Sequence, residues 1–209
     1  VRQTGRVVQV GSWQRSDQRF RLAAEMVRQG RIGKLQRVDV VLGKNVTGGP
    51  FAPSDPPRSL NWDLWQGQTP AVPYIEERCF YTFRWWYEYS GGKMTDWGAH
   101  HVDCACWALG LDKTGPNAVR VEFCEHPLPF EKGYPTLDDR YNTATSFRVV
   151  NVFDDAGVEL TIRHDMDNGI LFEGEKGRMF VSRGKLAGKP VEELEGNPLP
   201  EDAMRKAYK

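Results

Sequence analysis

Apolar side chains along this 209-residue chain recur with two different periods, and the switch between them divides the sequence into a mixed first part and a strand-rich second part. The first apolar alternation, Arg6-Val7-Val8-Gln9-Val10-Gly11, predicts a strand. Phe20, Ala23, Ala24 and Val27 then fall at helical spacing, with Ser16 or Asp17 as the cap and Gly30 as the stop, so one amphipathic helix is expected over RFRLAAEMVRQG. Lys34 to Leu42 alternates as a half-buried strand does, and 43–73, rich in Gly, Pro, Ser and Asp, reads as a long loop that places Trp62 and Trp65 on one helical turn. Met94 to Leu109 predicts a second helix, entered from Gly91-Gly92 and ended by Gly110. Beyond it the period changes to two. Strands are expected at 118–124, 144–153, 158–164, 169–174 and 178–184, the last of them joined by short turns into an antiparallel meander. The tail from Leu186 to Lys209 reads as loop running into an unfinished helix.

Charge narrows the range of partners. Lys plus Arg and Asp plus Glu are 28 each, so no basic field is available for nucleic acid or an anionic membrane surface, and a small, neutral partner is the expectation. No apolar run approaches the ~20 residues of a spanning helix, and VRQTGRVVQV lacks a signal peptide's cationic head and apolar core. A soluble protein follows, with the cytoplasm the expected compartment and export left open. Cys79, Cys104, Cys106 and Cys124 form no C-x-x-C pair and are expected as small buried residues. Neither G-x-G-x-x-G nor G-x-x-x-x-G-K-[ST] occurs, so the chain carries no recognisable nucleotide cradle.

Two stretches carry candidate chemistry. FYTFRWWYEY, Phe80 to Tyr89, concentrates seven aromatic side chains, suited either to a buried core or subunit interface or to the apolar faces of sugars. On the helix that follows, at ~100° per residue, Asp96, His100, Asp103 and Trp107 share one face while His101 points elsewhere. An aspartate one turn before a histidine can orient the ring and favour its protonated form, the layout of a general base. A structural histidine and a metal ligand stay open beside it, although only His100 with Asp96 or Asp103 converges from this helix. Arg84, amid Phe83, Trp85 and Trp86, is the better placed of two flanking cations to steady a hydroxyl-rich ligand; Lys93 is the other.

GGKMTDWGAHHVDCACWALG, preceded by FRWWYEYS and LNWDLWQGQTP, resembles the C-terminal domain of the glucose-fructose oxidoreductase/inositol dehydrogenase (Gfo/Idh/MocA) family. The entry segment VVQVGSWQRSDQRFRLAAEMVRQGRIGKLQRVDV and the late LFEGEKGRMFVSRGKL resemble the same family in the same order. The resemblance implies an α/β domain of the α+β type, similar to the C-terminal domain of dihydrodipicolinate reductase. A large, mostly antiparallel sheet would carry helices on one face and the subunit interface, giving a homo-oligomer. Residues 1–12 would be the last strand of a nucleotide-binding domain otherwise absent from the chain, and 13–209 the substrate-binding and dimerisation domain. His100 would take a hydroxyl proton while hydride leaves for NAD or NADP, with Asp96 holding its ring. Asp103, Arg84, Trp85, Trp65 and His101 would contact a sugar, cyclitol or related polyol, with no metal and with the cofactor held by the missing domain. The fragment alone is expected to be inactive. Two other readings remain: a non-catalytic module for oligomerisation or carbohydrate binding, and a metal-dependent hydrolase using His100, His101 and Asp103.

Overall fold

A computed structural model describes residues 1–206. The entry segment has no regular structure until Trp13: 6–11 forms no strand, with Val7 96% and Val10 83% exposed, because a strand forms only against another and none pairs with it among the described residues. A single 3-10 turn, Trp13–Ser16, leads into α1, Gln18–Arg28, whose N-cap Asp17 accepts from the Arg19 amide at 2.8 Å. Strand β1 follows at Leu35–Val41. The long loop contains only α2, Trp62–Gln66; one 3-10 turn, Thr82–Trp85, lies within the aromatic stretch and another, Glu76–Arg78, just before it.

The histidine helix, α3, spans Trp97–Leu109 and ends at Gly110, which is left-handed at φ 72°. It starts later than the periodicity predicts: Gly92–Met94 forms a 3-10 turn, and Asp96 is the N-cap rather than a residue of the helical face. Gly98, His101, Cys104, Ala105 and Ala108 lie at three- and four-residue spacing on its buried stripe. Gly98 lets the two elements approach closely: a Cβ there would meet Leu42 Cδ1 at 3.3 Å, close enough that the leucine would have to give by a few tenths of an ångström.

The remaining strands are β2 (Ala118–Glu125), the two-stranded hairpin β3 (Phe130–Glu131) and β4 (Tyr134–Pro135), β5 (Ser146–Phe153), β6 (Val158–Arg163), β7 (Gly169–Gly174), β8 (Gly177–Val181) and β9 (Leu186–Gly188). Seven of them make one sheet in the order β2-β5-β6-β1-β7-β8-β9. The expected meander is therefore interrupted: β1 inserts between β6 and β7, parallel to the former and antiparallel to the latter, so the sheet is mixed. Its last four residues are all buried, as a central strand requires, whereas alternation alone suggested a half-covered one. The tail also departs from a plain loop. It adds edge strand β9, a turn of helix α4 (Lys189–Glu192) and α5 (Ala203–Lys206), and the expected helix beyond that point lies outside the described residues.

Helices α1 and α3 cover one face of the sheet. Val38, Val40, Leu160, Ile162, Ile170 and Phe172 meet Phe20, Ala24, Cys104 and Ala105 in the main core. The other face is open and charged: the buried carboxylate of Asp39 lies between Arg37 and Arg163, and Arg163 also pairs with Asp165. The aromatic stretch forms a second, smaller core of Ile75, Trp85, Trp86 and Tyr141 under the long loop. Trp86 is sealed there, donating its indole N–H to the Glu77 carbonyl at 2.7 Å with the Arg78 guanidinium stacked 4.0 Å over its ring. No helix among the described residues is long and apolar enough to cross a membrane.

Candidate functional site at the start of the histidine helix

Because the chain turns sharply through Gly91 and Gly92 before α3, the helix start is brought against the aromatic stretch. There the Asp96 carboxylate accepts from Arg84 at 2.8 Å, and Arg84 in turn stacks 3.9 Å over Tyr81 and lies 5.9 Å from the Trp85 ring. Among the described residues Asp96 makes no hydrogen bond to His100. Leaving the helical phase at the N-cap directs its carboxylate to Arg84, so its effect on His100 is electrostatic.

His100 is half-buried and keeps solvent access. The Trp13 ring meets its imidazole edge-on at a centroid distance of 5.8 Å. Burial, and then the positive charge of Arg183, pull its pKa below the ordinary value against the smaller opposing pull of Asp96 and Asp103. A histidine in that state is neutral at physiological pH and has a lone pair to accept a proton.

His101 is different in every respect. The helix turn carries it onto the buried stripe, where it is 0% exposed, with Nδ1 2.8 Å from Gln14 Nε2 and Nε2 2.9 Å from Asn168 Oδ1. Burial lowers its pKa to about 4. Asp103 lies a third exposed and is engaged by Arg15 through two hydrogen bonds, at 2.7 and 2.5 Å. The structure thus brings Asp96, Arg84 and Trp85 into one contact chain beside His100. It places His101 beneath them in the core and Trp65 in a separate stack, 5.0 Å from Trp62 and 4.8 Å from Tyr89.

Four residues at this site were not singled out by the sequence: Trp13, Gln14, Arg15 and Arg183. The first three precede a helix cap, in a short stretch with no periodicity of its own, and Arg183 sits in the turn between β8 and β9, far away in the chain. Its guanidinium is clamped between Trp13 and Trp97, at 4.5 and 4.0 Å from their rings.

The start of α1 is capped by its own Asp17, and α3 is entered through a closed 3-10 turn. No three His, Cys, Asp or Glu side chains among the described residues converge as a metal-binding group. A cavity of ~720 Å³ lies elsewhere, between the β3–β4 hairpin and the 70–72 loop, lined by Tyr87, His126, Phe130 and Tyr134.

Comparison with known proteins agrees with this architecture. The chain superposes on the WlbA dehydrogenase of Bordetella pertussis, solved with NADH and UDP-GlcNAcA, with a TM-score of 0.52 and 17% identity over 99% of this chain and 59% of that one. The aldose-aldose oxidoreductase of Caulobacter crescentus, solved with glycerol, gives 0.51 and 15% identity over 99% and 52%. A super-repressor mutant of Gal80p from Saccharomyces cerevisiae gives 0.50 and 12% identity over 90% and 46%. The chain therefore spans about half the length of these proteins, and at such identity they share its fold. No curated protein matches the chain. A family model described as the C-terminal alpha/beta domain of the oxidoreductase family matches residues 44–185, about two thirds of the sequence, and the chain belongs to that Gfo/Idh/MocA oxidoreductase family.

Proposed function

We propose that this domain is the substrate-holding, proton-accepting part of a longer NAD- or NADP-dependent oxidoreductase acting on a sugar, cyclitol or related polyol. The observation that carries the reading is the state of His100: accessible, uncharged, walled by the Trp13 indole and near the positive charge of Arg183 rather than sealed in the core. In this role His100 takes the hydroxyl proton as the carbinol carbon is oxidised, and Asp96, fixed by Arg84, offsets the charge that then develops on the ring. Arg84 with Trp85, and Trp65 in the neighbouring aromatic stack, are the groups assigned to the substrate's hydroxyls and apolar faces. Asp103 and His101 support the helix instead, the first through Arg15 and the second from inside the core.

The nicotinamide would accept the hydride. Its dinucleotide is assigned to a preceding domain, and the unpaired, exposed valines at 7, 8 and 10 fit a strand completed by that domain. The open sheet face, with its alternating Arg37, Asp39 and Arg163, suits association with a second copy. A second reading, a non-catalytic module, draws on the commitment of Asp96 to Arg84 rather than to the imidazole.

Assay of a polypeptide containing both domains, with His100→Asn, separates the two. The enzyme reading expects kcat to fall by about 10²-fold or more with little change in KM. Unchanged turnover would refute it.

A further inference from the structure

Three consecutive side chains of the 3-10 turn before α1 each engage a different polar residue of α3. Trp13 packs on His100, Gln14 bonds His101, and Arg15 grips Asp103. We propose that Trp13-Gln14-Arg15 is a positioning clasp for the histidine helix, which locks His101 into one uncharged tautomer and so leaves His100 to exchange its proton alone. The clasp rests on the reading of His100 as the proton acceptor only for its catalytic meaning; the lock itself stands on geometry.

Direction in the hydrogen-bond chain is forced from its two ends. Arg183 Nε can only donate, and it lies 3.0 Å from Gln14 Oε1. That fixes the Gln14 amide, so its Nε2 donates toward His101 Nδ1, which must hold a lone pair. At the other end the Leu42 carbonyl can only accept, from Asn168 Nδ2 at 3.2 Å. That turns Asn168 Oδ1 toward His101 Nε2, which must carry the hydrogen. Both constraints name the same tautomer. A proton added at Nδ1 would face the amide hydrogens of Gln14, and flipping that amide would set its hydrogens against those of Arg183, so neither rearrangement accommodates an imidazolium.

The same parts build the surroundings of His100. Arg183, anchored through Gln14, is stacked between Trp13 and Trp97, and Trp13 forms the wall of the His100 ring. The charged groups facing His100 are Arg183 from the β8–β9 turn and Asp96 and Asp103 from its own helix segment; those facing His101 are Arg183 and His100. With His101 neutral, no second charge switches on beside His100 as it gains or loses a proton.

Long-range ¹H–¹⁵N spectra of the labelled chain test this directly, without any turnover. The clasp expects His101 to show the neutral Nε2–H pattern across about pH 5 to 8 and His100 to titrate with one midpoint below ~6.5. In Gln14→Glu the new carboxylate can accept from Arg183 and from a protonated Nδ1 together. His101 should then titrate near neutrality, and the His100 titration should change as the two adjacent rings become coupled, no longer following a single independent midpoint. Trp13→Ala, which leaves the chain of amides intact, should raise the His100 midpoint while His101 stays locked, and it serves if the first variant does not fold. Titration of His101 above ~pH 5.5 in the wild type, the Nδ1–H tautomer, or a His100 midpoint indifferent to both substitutions would overturn the proposal. A preserved lock alongside full activity of His100→Asn would instead refute the catalytic reading and leave the clasp standing.

Discussion

Acid should weaken this fold through one buried ring. His101 is fully enclosed, and its pKa of about 4 in the folded chain compares with the ordinary 6.5 that it regains on unfolding. Between those values the unfolded chain binds the extra proton and the folded chain does not, so stability rises with pH across that window and falls as acid is added. The linkage gives a loss of about 2 kcal/mol on going from about pH 7 to about pH 5, approaching about 3 kcal/mol below about pH 4. Urea unfolding of the wild type and of His101→Gln at about pH 7 and about pH 5 measures it, since glutamine keeps the polar contacts but does not titrate. Carboxylates, common to both proteins, cancel in the comparison. The wild type is expected to lose about 2 kcal/mol more than the variant over this interval. Equal losses would mean that His101 charges freely in the folded state, and the enclosed, doubly bonded ring would be the wrong description.

Other consequences follow from packing and charge. Trp86→Ala should cost about 3 to 5 kcal/mol in urea unfolding, because it empties the second core and strands Arg78, which stacks over that ring. Asp39→Ala should cost about 2 kcal/mol, read as a lower Tm, because a fully buried carboxylate between two arginines is lost while Arg163 keeps only Asp165. Of the four thiols, exposed Cys124 should react first with a disulfide reagent at mildly alkaline pH. Cys104, buried and pushed up to about 12, should react only after unfolding, as mass mapping of the labelled peptides would show.

What the sequence disclosed depended on the range of the interaction. Helix α1, with Asp17 at one end and Gly30 just past the other, follows from local caps and spacing, as do the turns between β5 and β6 and between β7 and β8. The insertion of β1 between β6 and β7 does not, because pairing 35–41 with 158–163 and 169–174 is decided by which edges are free after the helices pack. Asp96 shows the same limit at a finer scale. Its four-residue spacing from His100 suggests a shared helix face, yet helix onset at Trp97 rather than Met94 leaves Asp96 at the N-cap and turns it to Arg84, itself twelve residues earlier. Trp13 and Arg183 were illegible, since a linker residue and a turn residue 170 positions apart become neighbours only through the sheet.

Adjacent histidines on a helix are separated by ~100°, and here that angle crosses the boundary between core and surface. The outward ring keeps access and a free lone pair, while the inward one loses both to amide partners. Neither could take the other's part. An uncharged inner ring is stable only because its partners are amides, which donate and accept without titrating, whereas the outer ring is surrounded by Asp96, Asp103 and Arg183, whose charges respond to any proton it gains. The paired histidines are thus one proton-exchanging group standing on one that the fold forbids to exchange, and the Gln14 amide is the element that keeps the two apart.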